Sequence, residues 1–362
     1  MVIFGLLMVY SASFIYAQER TGDGFAFIKK QIIFAILGFG ALLISCRINY
    51  RKWEHWAYKF ALIATGLLAL VLIPGVGTRT LGAQRWLRLG FLTFQPGELA
   101  KFALIFFVSR QLDRKQELLQ KFVPGVLATF LVPFPALLLL LLQPDFGTTV
   151  MITVVIFSLM FLAGMPKRFL ALIFGVGGGA AALLVLGSAY RRARLMTFFD
   201  PWRDPTGKGF QIIQSLLGLH HGSFWGVGLG NGKEKLFYLP EAHNDFIFAV
   251  IGEELGFIGL SAVALAFCYF IYRGLKIAYQ SYEKYNDKFG MFLATGITLA
   301  LGLQGFVNMA VVLGLVPTKG LTLPFISYGG SALLVDLFAV GVLLSVARGP
   351  QAKGLFSGVK SK

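Results

Sequence analysis

The chain has 362 residues, of which 56% are hydrophobic and 14% charged. Soluble domains carry about 25% charged residues, so this composition excludes an ordinary soluble protein and indicates a polytopic membrane protein. The 33 Lys and Arg against 17 Asp and Glu give a net charge of +16. Membrane topology accounts for that surplus, because the cytoplasmic loops of membrane proteins collect cations. Nucleic acid is therefore not an expected partner.

Ten apolar runs follow one another along the chain, and we predict a transmembrane helix for each. The predicted fold class is therefore all-α, a single integral membrane domain over residues 1–362 with about ten transmembrane helices. The runs are 2–17, 32–46, 57–73, 99–109, 122–142, 149–163, 169–189, 246–272, 290–316 and 329–347. A large loop over residues 190–244 separates the seventh helix from the eighth.

The distribution of basic residues predicts the orientation. An even number of spans places both termini on the same side of the membrane. With both termini inside, the inner segments carry eighteen of the 33 Lys and Arg, and the outer segments other than the large loop carry eight. Because long loops count little in the positive-inside rule, this comparison predicts cytoplasmic termini. The loops at 74–97, 143–147, 190–244 and 314–328 are then extracellular.

Asp245 lies where the large loop enters the eighth apolar run, within LPEAHNDFIFAVIGEELG. A charged group inside the hydrocarbon layer costs from about 2.5 to more than 10 kcal/mol, so a carboxylate in this position is a candidate functional group. Glu253 and Glu254 follow in the same helix. At about 1.5 Å and 100° per residue, Glu254 lies about 13.5 Å deeper than Asp245 and on nearly the opposite helix face. Asp245 and Glu254 are therefore not a paired acid and base.

The start of the fourth helix carries Glu98 and Lys101, three residues apart. This spacing puts both side chains on one helix face and predicts an intramembrane ion pair, which either fixes helix packing or belongs to a functional site. The preceding loop contains Arg85 and Trp86 with further arginines. These residues are typical of an interfacial anchor. Alternatively, the arginines form a forked donor site for phosphate.

Two segments of the large loop have patterns of their own. Residues 210–219 form an apolar helical stripe with polar interruptions, which predicts an interfacial helix, either beside a lipid-linked substrate or simply packed over the bundle. The glycine-rich segment Gly226–Lys235 could present backbone amides to an anion, although it lacks the Walker A pattern. His220, His221 and His243 are expected to be solvated or hydrogen-bonded, since their spacing is not that of zinc ligands.

The last outer loop, within GLVPTKGLTLPFISYGGSA, concentrates proline and glycine at the membrane boundary. Non-helical backbone is tolerated there only where it is buried in protein or lines a watery cavity. Lys319 is the one cation of this loop. Together with Asp245, Glu98 and Lys101, it predicts a polar cavity that opens outward. Asp336 in the last helix is a further acid for which the sequence offers no partner.

Taken together, these motifs resemble the SEDS family (shape, elongation, division and sporulation) of peptidoglycan glycosyltransferases. The similarity rests on GAQRW and FQPGELAK, DPWRDPTGKGFQIIQS, GVGLGNGKEKLFYLPEAHNDFIFAVIGEELG and NMAVVLGLVPTKGLTLPFISYGGSA, in the family's order from the first helix to the last. Within the family, the motifs are more similar to the division branch than to the elongation branch. The resemblance implies a ten-helix bundle that polymerises lipid II on the outer face of the cytoplasmic membrane.

The resemblance also implies partners and site residues. A class B penicillin-binding protein would supply the transpeptidase, and divisome or elongasome membrane proteins would complete the assembly. Asp245 matches the family's essential aspartate and is a candidate ligand for a divalent cation, Mg²⁺ or Mn²⁺. Gly97 and Asn244 depart from the family's usual residues without removing a catalytic side chain. The remaining candidate positions are assigned to substrate binding: Arg85, Trp86, Glu98, Lys101, His243, Lys319 and Ser327.

Glycosyl transfer requires a proton acceptor and a means of stabilising the leaving pyrophosphate. The sequence assigns the first role to Asp245 as general base. Lys319, Lys101, Arg85 or a bound cation are candidates for the second role. The alternatives are a lipid II flippase or proton-coupled carrier, and a non-catalytic scaffold for a transpeptidase. Carriers place their acids near the bilayer midplane, whereas Asp245 is predicted at the outer boundary.

Overall fold

The protein is described by a computed structural model over residues 1–80, 83–90, 92–187, 192, 196–207, 209–235, 239–318 and 320–350. We number its helices α1 (Val2–Thr21), α2 (Ala26–Arg47), α3 (Tyr50–Leu72), α4 (Pro96–Lys115), α5 (Phe122–Phe130), α6 (Pro133–Leu142), α7 (Phe146–Leu162), α8 (Lys167–Leu186), α9 (Phe210–Gly222), α10 (Ile247–Tyr285), α11 (Lys288–Val312) and α12 (Gly330–Ala347).

Each of the ten predicted apolar runs contains a helix, and α9 lies in the large loop as predicted. Helices α5 and α6 belong to one run that bends by 49°. The bend precedes Pro133, which can occupy the first turn of a helix but cannot continue one. Among the described residues, six helices are long and apolar enough to cross a membrane, or seven if the bent pair is one span. The predicted all-α, multi-pass membrane fold is confirmed.

A small antiparallel sheet occupies the segment between α3 and α4, which the sequence analysis treated only as a loop. Its strands are β1 (Gly77–Thr80), β2 (Ala83–Leu89) and β3 (Leu92–Phe94), in the order β1-β2-β3. The register pairs Thr78 with Trp86 and Arg88 with Thr93. The alternation in AQRWLRL between two glycines is a hairpin signal, but so short a run is weak evidence without its pairing partner.

The chain divides into two compact units. The first unit is Met1–Ile33, Ala171–Tyr269 and Gly302–Gly329, and the second is Phe34–Leu170, Phe270–Leu301 and Gly330–Lys362. The core of the first unit is built from α1, the start of α10, the end of α11 and the loop that follows α11. In the second unit α4 is the central helix, buried along most of its length and packed against α3 and α7.

Helix α10 is broken at Gly256, where φ is 65° and ψ is −163°. The break leaves two carbonyls before it and two amides after it without helical partners. The segment Ser223–Gly228 pairs all four: Val227 N donates to Glu253 O at 3.0 Å, Gly228 N to Glu254 O at 3.0 Å, Phe257 N to Ser223 O at 3.0 Å and Ile258 N to Phe224 O at 3.4 Å. Unpaired backbone groups are costly at membrane depth, so this inserted segment is what allows the helix to break.

We expect Gly256→Ala to destabilise the protein. A Cβ at position 256 would lie 2.4 Å from the amide nitrogen of Gly226. The backbone conformation there suits only glycine, so the strain adds about 1–3 kcal/mol. Gly66→Ala in α3 is the matched control, because nothing lies within 4 Å of its Cβ and alanine favours a helix interior. Thermal unfolding in one detergent compares them, and a wild-type midpoint for Gly256→Ala would contradict the prediction.

Candidate functional site

Asp245 lies immediately before α10, and hydrogen bonds to the main chain hold its segment in place. Asn308 Nδ2 donates to the carbonyl of Asp245 at 2.8 Å and to that of Leu321 at 2.6 Å. Ser327 Oγ donates to the carbonyl of Asn244 at 2.7 Å. The side chain of Asp245 is partly exposed. The backbone is therefore fixed to α11 and its following loop, while the residue itself is partly open to solvent. Ser327, a predicted substrate-binding residue, uses its hydroxyl in this framework.

The loop after α11 lies against the Asp245 carboxylate. A Cβ added at Gly320 would be 3.0 Å from Asp245 Oδ2, so the glycine leaves room for the carboxylate. Gln304 Nε2 donates to the carbonyl of Thr322 at 3.0 Å, one helical turn before Asn308. Two amide side chains of α11 thus hold the loop. Neither amide was predicted from the sequence, although their spacing of four residues in an apolar helix was a usable signal.

His243 lies in an aromatic pocket two residues before Asp245. Its ring centroid is 4.8 Å from that of Phe27, 5.3 Å from that of Tyr16 and 5.7 Å from that of Tyr328. Burial lowers the pKa of His243, although the carboxylate of Glu241 acts in the opposite direction. Burial thus favours the neutral imidazole, which packs among these aromatic rings rather than in solvent.

The second unit holds a buried group of charges on α4 and α12. Lys101 Nζ lies 2.8 Å from Glu98 Oε2 and 3.4 Å from Asp336 Oδ1. All three residues are buried. The predicted ion pair between Glu98 and Lys101 is present, and Asp336, which had no partner in the sequence analysis, joins it. One ammonium group therefore faces two carboxylates.

Arg85 fastens β2 to the turn before α7. Its Nε donates to the carbonyl of Gln143 at 3.1 Å, and its Nη2 donates to the carbonyl of Pro144. Its Nη1 lies 3.9 Å from Asp145 Oδ1. The guanidinium is thus engaged by the protein, as an anchoring arginine would be. Trp86, the next residue of β2, is partly buried.

The predicted site residues fall in both units. Asp245, His243 and Ser327 belong to the first, and Arg85, Trp86, Glu98 and Lys101 to the second. The outward-opening polar cavity that was predicted to join these residues stays a prediction.

The glycine-rich segment Gly226–Lys235 presents amides to an anion that belongs to the protein itself. Glu253 Oε1 accepts a hydrogen bond from the amide of Lys233 at 2.7 Å, and Glu253 Oε2 accepts one from the amide of Glu234 at 3.2 Å. The predicted anion interaction is therefore present at these two amides, with an internal carboxylate as the anion. Glu253 holds the large loop against α10.

Glu254 holds the same loop through a charged side chain. Glu254 Oε1 lies 2.7 Å from Lys235 Nζ. Ser11 Oγ of α1 donates to both carboxylate oxygens, at 2.7 and 2.8 Å. Glu254 is 0% exposed, so the lysine and the hydroxyl replace its hydration. Both glutamates that follow Asp245 in the sequence therefore have structural partners.

We expect Glu234→Gln to remove a pH dependence of stability. Burial, and after it the charge of Glu253, raises the pKa of Glu234 from 4.5 to about 7. Between these two values the folded chain binds more protons than the unfolded chain, so stability falls as pH rises through that window and stays lower above it. Glutamine cannot ionise. Unfolding midpoints below and above the window test this, and an unchanged pH dependence in the variant would exclude Glu234 as the cause.

A metal site built from protein side chains alone is not present in the part of the chain that the structure describes. There, no three His, Cys, Asp or Glu side chains gather into a group that could hold an ion. Mg²⁺ is often bound by one or two carboxylates together with substrate phosphates. Asp245 would supply one such carboxylate to a cation that is shared with a phosphorylated ligand. Lys319, the predicted cation of the last loop, lies outside the described residues.

Similarity to known proteins extends along nearly the whole chain. The model of the FtsW/RodA/SpoVE family, described as cell cycle proteins, matches residues 1–351. A probable peptidoglycan glycosyltransferase FtsW from Geobacter sulfurreducens is 47% identical over 344 residues, which cover 95% of this chain and 91% of the relative. Stage V sporulation protein E from Bacillus subtilis is 40% identical over 348 residues, which cover 96% of this chain and 94% of the relative.

Solved structures show the same fold. A chain from a peptidoglycan synthase complex, whose structure concerns the coordination of polymerization and crosslinking, matches with a TM-score of 0.74 and 32% identity over 96% of both chains. The rod shape determining protein RodA from Thermus thermophilus matches with a TM-score of 0.65 and 27% identity, over 96% of this chain and 95% of RodA. With a family model over residues 1–351 and a relative 47% identical, the chain belongs to the SEDS family, the FtsW, RodA and SpoVE cell cycle proteins.

Proposed function

We propose that this protein is a peptidoglycan glycosyltransferase that polymerises lipid II into glycan strands, with Asp245 as its general base. The observation that carries the proposal is the placement of Asp245, a partly exposed carboxylate on a backbone held by Asn308 and facing Gly320. The named activity of the Geobacter relative supports it. Its name, FtsW, further favours septal wall synthesis in cell division over a RodA-like role in elongation.

Strand elongation is a single displacement at a sugar carbon. The acceptor's sugar hydroxyl attacks the anomeric carbon of the donor, and Asp245 takes the hydroxyl proton. The bond between that carbon and the pyrophosphate oxygen breaks on the opposite face, so the configuration inverts. Undecaprenyl pyrophosphate leaves with the bonding electrons. General-base assistance of this kind typically contributes about 10²–10⁴-fold to the rate.

The leaving pyrophosphate needs positive charge near it. Lys101 already lies between two carboxylates, and Arg85 donates to two backbone carbonyls. These contacts make Lys319 and a divalent cation the stronger candidates. Mg²⁺ or Mn²⁺ bound by the substrate phosphates would neutralise the charge that develops on the pyrophosphate. If Asp245 also held that cation, it would be a weaker base and would act as a ligand instead.

We place both termini in the cytoplasm and Asp245 on the outer face of the cytoplasmic membrane. The excess of basic residues in the segments then assigned to the inside, eighteen against eight, supports this orientation. The related chain in a synthase complex that coordinates polymerization and crosslinking supports a crosslinking partner. We assign that role to a class B penicillin-binding protein transpeptidase, assembled with other divisome or elongasome membrane proteins.

Purified protein supplied with lipid II tests the activity. Glycan strands and released undecaprenyl pyrophosphate are measured with and without Mg²⁺, and with and without the transpeptidase partner. We expect glycan strands to form, with undecaprenyl pyrophosphate released in proportion to the disaccharide units added. A cation requirement would show as loss of both products when a chelator is added, with recovery when Mg²⁺ or Mn²⁺ is restored.

A lipid II flippase is the second candidate, because the buried Glu98, Lys101 and Asp336 group is also what a proton-coupled carrier would contain. The same preparation in liposomes separates the two activities. Movement of lipid II between leaflets without any polymer, under every condition above, would replace the glycosyltransferase by a flippase. If the protein binds the transpeptidase but shows neither polymerisation nor lipid II movement, it is a non-catalytic scaffold.

A further inference from the structure

The segment Ser223–Leu229 belongs to the large loop that the sequence analysis placed outside the membrane. We infer that it is instead embedded among the lipid acyl chains of the leaflet nearest Asp245. This inference concerns the surroundings of the loop and does not depend on the proposed activity.

The large apolar side chains of this segment face away from the protein. Trp225 is 78% exposed, and Phe224 and Leu229 are each 52% exposed. Phe257, just beyond the break in α10, is 58% exposed and stacks on Phe224 with ring centroids 5.8 Å apart. The sequence SFWGVGL contains no charged residue. A contiguous exposed apolar surface of this kind indicates contact with another apolar phase.

Three charged side chains beside the break are turned inward. Glu253 is 1% exposed, Glu254 is 0% exposed and Lys235 is 7% exposed. Each has partners within the protein, as described above. A loop in water would expose its charges and cover its aromatic rings. At the break this order is reversed for Glu253, Glu254 and Lys235, as a hydrocarbon environment favours, whereas Lys233, four residues after Leu229, is exposed.

Much of the backbone of the segment is paired within the protein, as entry into lipid requires. Irregular backbone is stable at membrane depth only when its polar groups are paired within the protein. Four bonds join the segment to the two sides of the break in α10, and the amide of Gly226 donates to the carbonyl of Gly222 at 2.7 Å. The close approach requires glycine, since a Cβ at Gly226 would lie 2.2 Å from the carbonyl oxygen of Glu254.

Two counts along α10 give the depth of the segment. Gly256 follows Ile247, the first residue of α10, by nine positions, which is about 13 Å of helix. About 20 helical residues cross the hydrocarbon layer, and that number counted back from Arg273, the first cation of α10, reaches Glu253. The second count puts Gly256, and the segment bonded around it, about three residues inside the hydrocarbon on the side of Asp245, and the first shows that this point is well below the start of α10.

Helix α9 leads the chain down to this depth. Ser215 Oγ, near the middle of α9, donates to the carbonyl of Val312 at the end of α11, at 2.7 Å. At the last residue of α9, a Cβ on Gly222 would lie 1.9 Å from the carbonyl oxygen of Gly252, within α10. The loop therefore enters beside α10 along α9, turns at Ser223–Leu229 and returns to Asp245.

Tryptophan fluorescence tests the inference, with a matched control in the same loop. The chain has five Trp. One variant keeps Trp225 and carries Phe at the other four positions, and a second keeps only Trp202, which is 62% exposed and lies before α9. Both are reconstituted in phosphatidylcholine vesicles that contain acyl-chain-brominated lipid. We expect Trp225 to emit at shorter wavelength than Trp202, to lose most of its emission to the brominated lipid and to resist aqueous acrylamide.

The inference is overturned if Trp225 is quenched by acrylamide as a free indole would be and is unaffected by the brominated lipid. Should the single-tryptophan chains fail to fold, nitroxide labels give the same distinction. Trp225→Cys and Trp202→Cys are labelled after Cys46 and Cys268 are replaced by Ala. Greater accessibility of the 225 label to oxygen than to a water-soluble nickel complex supports lipid burial, and the reverse order contradicts it.

Discussion

Replacing Asp245 with Asn is expected to lower the rate of glycan polymerisation by about 10²–10⁴-fold while the protein stays folded. The amide has the shape of the carboxylate but cannot accept the acceptor's proton. Asn308 binds the main-chain carbonyl of residue 245, so that contact survives the substitution. The side chain is partly exposed, so water reaches the substituted residue. Strand formation and undecaprenyl pyrophosphate release from lipid II are the two measurements.

Asp23→Asn is the control for the loss of one carboxylate. Asp23 is exposed and pairs with Lys29 at 2.7 Å, outside the segments that hold Asp245. We expect full activity from this variant and equal unfolding midpoints for both. Normal turnover by a well-folded Asp245→Asn or Asp245→Ala protein would remove Asp245 from the mechanism. Recovery of the Asn variant at high Mn²⁺ would instead identify Asp245 as a cation ligand, because added cation cannot replace a missing base.

Replacing Lys101 with Met is expected to cost about 3–5 kcal/mol of folding free energy, because it leaves buried carboxylates without their cation. Lys101 Nζ lies 2.8 Å from Glu98 and 3.4 Å from Asp336, and all three residues are buried. Methionine has a similar length but no charge. Unfolding in mixed detergent, followed by circular dichroism, measures the loss.

Lys29→Met is the matched control, since it also breaks a lysine–aspartate pair. The side chains of Lys29 and Asp23 are 65% and 42% exposed, so water replaces the lost contact and the expected cost is about 0–1 kcal/mol. A triple variant with apolar residues at positions 98, 101 and 336 should recover most of the stability that Lys101→Met loses. If Lys101→Met lowers the folding free energy as little as Lys29→Met does, then removal of the Lys101 ammonium does not leave the carboxylates without a counter-charge.

Several features of the structure could be predicted from the local sequence, because a single physical condition decided each of them. Backbone polar groups in hydrocarbon must be paired within their own segment, so each apolar run predicted a helix, and a helix is present in each. The spacing of Glu98 and Lys101 predicted their ion pair, because residues three apart share a helix face. Asp245 was identified because a carboxylate next to an apolar run has a high free-energy cost in hydrocarbon, so that its presence indicates a function.

The sequence by itself thus determined that the chain crosses the membrane repeatedly. It also identified Asp245 as the candidate general base. Tertiary structure decided which polar groups serve one another. Asp336 meets Lys101 across 235 positions and Glu254 meets Ser11 across 243, so no local spacing encodes either pair. The break at Gly256 exists because Ser223–Gly228 supplies four backbone partners. Local sequence gives the energetic demand of each buried polar group, but the partner that meets it is fixed only when distant segments pack together.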